Sequence, residues 1–95
     1  MTQSTIGILL HKFEEKHITD NFKIKDFIVK TDFNKEFPQE LSFQLQNTKC
    51  DFINDIPLGI QVKVYFEIKG KMYNNGNEKK WFNTLVCFKI EKVPV

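Results

Sequence analysis

The sequence predicts an all-β fold: a five-stranded barrel with one short helix between its third and fourth strands. Three observations predict it. Five segments alternate β-branched or aromatic residues with polar ones, the period-two pattern of half-buried strands. One stretch, "NTKCDFINDIPLG" at 47–59, breaks that pattern; it starts with Asn47 and Thr48, good helix caps, and closes with Pro57 and Gly59. The resulting order is strand, strand, strand, helix, strand, strand, which is that of an OB-fold. An open antiparallel sheet or an SH3-like barrel matches the strand count, but the helix position favours the OB-fold. A chain of 95 residues has room for one such domain, residues 1–95, and no second core.

The first strand is expected over "TIGILLHKFEEK", residues 5–16, followed by a turn in "HITDN", where Asp and Asn tolerate turn geometry. "FKIKDFIVKTD", residues 22–32, is the second. The loop "FNKEFP" leads to "QELSFQLQ", in which Leu41, Phe43 and Leu45 share a face. The helix is expected over 48–54. The fourth strand, "IQVKVYFEIKGKMY", places Val62, Val64, Phe66 and Ile68 on one face and Lys63, Tyr65, Glu67, Lys69 and Lys71 on the other. An Asn/Gly tip longer than two residues then gives a protruding arm, and "WFNTLVCFKIEKV" returns as the fifth strand. Its "LVCF" middle is apolar at consecutive positions, which implies that both faces are covered, with a subunit contact as one source of cover. The expected core contains Leu41, Phe43, Val62, Val64, Phe66 and Ile68.

Composition narrows the function classes. No apolar run approaches the roughly 20 residues of a membrane span, and "MTQSTIGILLHKFEE" lacks a basic leader with a small-residue cleavage site, so a cytoplasmic protein is expected. Cys50 and Cys87 lie far apart without a CxxC companion and read as reduced, buried thiols. Net charge is +2, unevenly spread: residues 1–55 carry seven lysines against nine acids, residues 56–95 seven lysines against three. There is no arginine. Lysine offers a point charge to phosphates but lacks the planar fork that reads guanine edges, so sequence-specific duplex reading is not expected.

Catalysis is not expected either. His11 and His17 are the only histidines, six residues apart with no nucleophile beside them. Glu14 and Glu15 are adjacent on an expected strand and point to opposite faces. Asp51 and Asp55 stand one helical turn apart, the spacing of a solvated face. No glycine-rich phosphate loop exists. The reading is a non-enzyme with no cofactor, no metal and no small-molecule substrate.

Basic and aromatic residues remain. OB-folds bind single strands with a positive groove and rings on which bases stack. The candidate nucleic-acid contacts are Lys23 and Lys25 on the second strand, Lys63, Tyr65, Lys69 and Lys71 on the fourth, and Tyr73, Lys79, Lys80 and Trp81 around the tip. Trp81 has a second possible role as a plug in the end of the barrel. Lysines on a strand also form a solvated face and discourage edge-to-edge pairing.

Three stretches, "NFKIKDFIVKTD", "FPQELSFQLQNTKCDFI" and "IQVKVYFEIKGKMYNNGNEKKWFNTLVCFKIE", resemble a family of short bacterial proteins catalogued as a domain of unknown function. Its members look like minimal single-stranded DNA-binding proteins. The shared pattern falls on Phe22 to Thr31, Pro38 to Phe43, Gly59 to Phe66 and Asn75 to Phe82, within about residues 5–92. The resemblance implies an OB-fold and single-strand binding. Two departures stand out: the segment before the tryptophan is lengthened to "NEKK", and the chain ends at "EKVPV" without the acidic, phenylalanine-tipped tail by which bacterial single-stranded DNA-binding proteins recruit repair enzymes. The expected function is thus sequence-tolerant binding of single-stranded DNA or RNA, DNA first, by a homo-oligomer. The alternative is a protein-interaction or assembly module on the same barrel.

Overall fold

The computed structural model describes residues 3–31 and 36–94. Among these residues six strands run β1 (Gln3–Lys12), β2 (Lys16–Thr19), β3 (Phe22–Thr31), β4 (Gln39–Gln46), β5 (Gln61–Asn75) and β6 (Glu78–Lys92), with a 3-10 helix (Asn47–Ile53) between β4 and β5. The strand expected over 5–16 is divided: β1 stops at Lys12, and Lys16–Thr19 forms a separate hairpin with β3. Glu14 and Glu15 therefore lie in the link between strands, where Glu15 meets Lys23 at 3.4 Å. The end of the second expected strand at Asp32 and the first half of the following loop, residues 33–35, lie outside the described residues.

Closure is achieved by β1, which pairs with two strands. Its first half runs antiparallel to β5 (Gln3↔Phe66 to Ile8↔Gln61) and its second half antiparallel to β3 (Gly7↔Thr31 to Lys12↔Phe27). The ring β1–β5–β6–β4–β3–β1 is completed by a short parallel contact between β4 and β6, Phe43↔Leu85 and Gln44↔Val86. Gly7 sits where β1 passes from one partner to the other. A Cβ there would lie 2.5 Å from the Lys30 carbonyl oxygen and 2.6 Å from Val29 Cγ1, so the close approach requires glycine.

The period-two faces converge inside the ring. Leu9, Phe27, Val29, Phe43, Leu45, Val62, Val64 and Cys87 are fully buried, and Phe66 nearly so. Phe27 and Phe43 oppose each other across β3 and β4 with ring centroids 5.5 Å apart, and Phe66 meets Phe43 edge-on at 5.1 Å. Leu41 packs at the margin of this core. Ile68 does not join it. Although it continues the inward parity of β5, it stands beyond the last β1 partner, Phe66, and is 51% exposed. Of the "LVCF" run, Leu85 and Cys87 face the core, while Val86 and Phe88 are half-buried on the outside. Phe88 is an extra residue in β6, where the register passes from Tyr65↔Lys89 to Phe66↔Cys87.

The helix plugs one end of the barrel with Cys50 and Ile53. It lacks a side-chain cap of its own; Asn47 has a φ of 54°, and its Oδ1 instead accepts from the Lys23 backbone N–H at 3.2 Å. Asp55 lies beyond the helix end. Lys12 Nζ donates to the Ile56 carbonyl at 2.8 Å, and the Gly59 N–H to the Leu9 carbonyl at 2.7 Å, tying the connection into β5 against β1.

Candidate nucleic-acid interface

β5 and β6 are each 15 residues long and outrun their neighbours. From Lys69 to Thr84 they form a two-stranded ribbon with no third strand among the described residues, an arm of roughly 24 Å at about 3.4 Å per residue. At its tip Asn75 pairs with Glu78, so the connection is the two residues Gly76 and Asn77 and is shorter than the sequence reading expected. Gly76 has a φ of 68° at the first central position, the requirement of a type II′ hairpin turn. "EKK" at 78–80 lengthens the strand and not the loop.

A two-residue turn fixes which side chains share a face, because directly paired residues project to the same side. Lys69, Lys71, Tyr73, Lys80 and Phe82 lie on the face continuous with the barrel's outside, above Lys63 and Tyr65. Ile68, Met72, Lys79 and Trp81 lie on the opposite face. Trp81 is 69% exposed and so does not plug the barrel. It does not share a face with Tyr73 either. Of the ten residues expected at the site, the structure gathers Lys63, Tyr65, Lys69, Lys71, Tyr73 and Lys80 on one surface and sets Lys79 and Trp81 behind the arm. Lys23 and Lys25 stand beside the 3-10 helix with intramolecular acceptors: Lys23 Nζ has Glu15 at 3.4 Å, and Lys25 Nζ donates to Asn54 Oδ1 at 3.0 Å.

The outer face is a mixed surface of rings and ammonium groups. Lys71 Nζ lies 5.1 Å from the Tyr73 centroid, and Tyr73 meets Phe82 edge-on at 5.4 Å. Both rings are about half exposed. Tyr65 is more enclosed: Lys63 and Lys89 stand 5.1 and 5.2 Å from its centroid, and its hydroxyl reaches Glu91 Oε2 at 3.4 Å. Lys89 and Glu91 form an ion pair at 3.1 Å, which raises the lysine's pKa and lowers the carboxyl's, mainly through their mutual hydrogen bond. Across this side of β5 and β6 five lysines (63, 69, 71, 80, 89) face three glutamates (67, 78, 91).

Where the arm leaves the barrel it overhangs β4. Three adjoining depressions of about 310, 360 and 310 Å³ line this junction. Their arm side is formed by Lys69, Lys71, Tyr73 and Phe82, their floor by Thr84, Val86 and the outward row Ser42, Gln44 and Gln46 of β4, one end by Asp26, and the other by Lys49, Glu67 and Phe88. A smaller depression of about 210 Å³ lies apart, by the β2–β3 turn and Asn47. His11 packs edge-on to Phe13 at 4.5 Å, and His17 is exposed on β2. Cys50 and Cys87 are free and buried, and burial pushes the Cys87 thiol up to about 11.

A family model described as "Domain of unknown function (DUF3127)" matches residues 5–91. The chain belongs to that family. No curated protein matches it. Among solved structures, this DUF3127 chain is similar to Rim1, a mitochondrial single-stranded DNA binding protein of S. cerevisiae. That match has a TM-score of 0.75 at 16% identity, over 98% of this chain and 94% of Rim1. The dimeric N-terminal domain of PriB from Thermoanaerobacter tencongensis matches with a TM-score of 0.68 and 22% identity, over 99% and 97% of the two chains. The single-stranded DNA binding protein of Thermus aquaticus matches with 0.73 and 16%, over 98% of this chain and 50% of its own. At such identities the likeness establishes the fold: the DUF3127 domain is an OB-fold. Among the described residues no helix is long and apolar enough to cross a membrane.

Sequence reasoning missed Phe82, Gln44, Gln46 and Thr84. Phe82 was legible, because any two-residue turn in "YNNGNE" puts it on the Tyr73 side and Trp81 on the other. The glutamines carried no local signal; their place in the cleft depends on the parallel closure of β4 onto β6.

Proposed function

We propose that this protein binds single-stranded nucleic acid, DNA first, along the outer face of β5 and β6, and that it does so with little regard for sequence and as a homo-oligomer. The observation that carries the reading is the shared face of Lys63, Lys69, Lys71 and Lys80 with Tyr73 and Phe82, beside a cleft floored by uncharged groups. Phosphates would meet the lysines and bases would stack on the two half-exposed rings. The fold supports it, since the similar structures include a single-stranded DNA binding protein of yeast mitochondria and another from Thermus aquaticus. Tyr65 contributes less ring face than Tyr73, being held between two lysines. Lys79 and Trp81 join the contact where a strand crosses over the arm; Lys23 and Lys25 join where it continues past the helix, at the cost of their present acceptors.

A single OB unit covers roughly 4–16 nucleotides, so an oligomer gains by making later contacts intramolecular. Apolar surface for a subunit contact is offered by the outward Val86 and Phe88 of the "LVCF" run and by the other side of the arm, where Ile68, Met72 and Trp81 are all exposed. That same surface favours the second reading, an assembly module that binds no nucleic acid. Titration of labelled oligo-dT and of a duplex of equal length at two salt concentrations separates the two. Tighter, salt-dependent binding of the single strand supports the proposal, and no binding at low salt supports the assembly module.

A further inference from the structure

The cleft under the arm has a floor that phosphate binding does not use. Gln44 and Gln46 project outward side by side on β4, and Gln46 Nε2 donates to Gln44 Oε1 at 2.9 Å. That bond uses one donor and one acceptor. It leaves Gln44 Nε2, a donor, and Gln46 Oε1, an acceptor, without another protein partner among the described residues. Both side chains are half-buried and line the depression shared with Lys69, Lys71, Tyr73 and Phe82. Asp26 pairs with Gln44 and puts a carboxylate at one end. A phosphate run there would meet that negative charge, whereas on the arm it meets lysines. Lys49 and Glu67, of opposite charge, stand together at the Gln46 end, so Asp26 and the lysines of the arm favour a strand with its backbone toward the arm and its bases toward β4.

We propose that Gln44 and Gln46 form a base-edge reader, hydrogen-bonding the Watson–Crick edge of a base whose ring lies against Tyr73 or Phe82. This deepens the single-strand reading and rests on it. An amide pair suits a sequence-tolerant protein, because each base edge carries both donors and acceptors and an amide can turn either atom toward them. The pair therefore tests that an edge is free and not which base bears it. A duplex, whose edges are already paired, is refused at this point.

The test compares a dT tract with the same tract built from N3-methylthymidine, which keeps the phosphates and ring faces and blocks the edge. The wild-type protein is expected to bind the methylated tract about tenfold more weakly, the worth of one to two hydrogen bonds. A Gln44→Leu, Gln46→Leu variant with unchanged circular dichroism is expected to bind the two tracts equally. Equal binding of both tracts by the wild-type protein overturns the edge reader and leaves single-strand binding standing. Persistent tenfold discrimination by the double variant overturns the assignment to these glutamines. Failure to bind either tract overturns the single-strand reading and the inference with it.

Discussion

Residues 79–82, "KKWF", contain two pairs of chemically similar neighbours that the hairpin sends to opposite faces. Lys80 and Phe82 lie on the face proposed to bind, and Lys79 and Trp81 lie behind it. Replacing each by alanine measures one face against the other at almost constant composition. On a single strand each phosphate neutralised contributes roughly −0.7 to the slope of log K against log salt. Lys80→Ala should therefore shallow the slope by about 0.7. Between 50 and 200 mM salt, a 0.6 log-unit interval, that is roughly a 2.6-fold smaller loss of affinity. Lys79→Ala should leave the slope unchanged on an oligonucleotide too short to cross over the arm. For the rings, a base stack is worth roughly 1–3 kcal/mol, so Phe82→Ala should weaken binding about 5- to 150-fold without altering the slope. Trp81→Ala should weaken it less than twofold on a short oligonucleotide. Both rings are more than half exposed, so neither truncation removes core packing, and the cost in stability is that of one cross-strand pair, about 0.2–1 kcal/mol. The assay is fluorescence anisotropy of a labelled dT oligomer at four salt concentrations. If Lys79→Ala and Trp81→Ala carry the losses and their neighbours do not, the face assignment is refuted.

Other perturbations test the scaffold. Val64 is fully buried, and Val64→Asp places an unpaired carboxylate in the core at a cost comparable to the whole stability of a small domain; circular dichroism should show an unfolded chain, and a native melt would refute the inward parity of β5. Gly7→Ala should destabilise by about 1–3 kcal/mol in urea, since its Cβ has no room against the Lys30 carbonyl; an unchanged midpoint would show that β1 and β3 are further apart. Cys50 and Cys87 are buried with raised pKa values, so a thiol reagent at pH 8 should label both far more slowly in the native protein than in urea, and rapid native labelling of both would contradict the packing.

Much of the fold was legible because it depends on alternation. Phe43, Val62, Val64 and Phe66 fall inside as their spacing implies, and the helix occupies the interval that Pro57 and Gly59 close. What was not legible depends on partners remote in sequence. Ile68 has the parity of a core residue, but whether that face is covered is decided by where β1 ends beside β5, not by the strand itself. Lys12 and Lys16 give no sign that the first strand divides between them; the break follows from β1 turning along β3 while Lys16–Thr19 closes its own hairpin. For the site, the basic and aromatic character of the arm was evident, but its division into two faces required the turn length. The expectation of a longer tip hid the parity that separates Tyr73 from Trp81. The amide floor stayed hidden because outward glutamines on β4 look like any solvated face until β6 is laid beside them.

The central claim is that a single strand lies on the outer face of β5 and β6, and photocrosslinking tests it most directly. A dT oligomer carrying 5-iododeoxyuridine, irradiated with the protein at low salt and mapped by peptide mass spectrometry, should form adducts on Tyr73 and Phe82, the half-exposed rings beside Lys69, Lys71 and Lys80. Adducts confined to Trp81, on the other side of the same arm, would contradict it, as would none at saturating oligonucleotide.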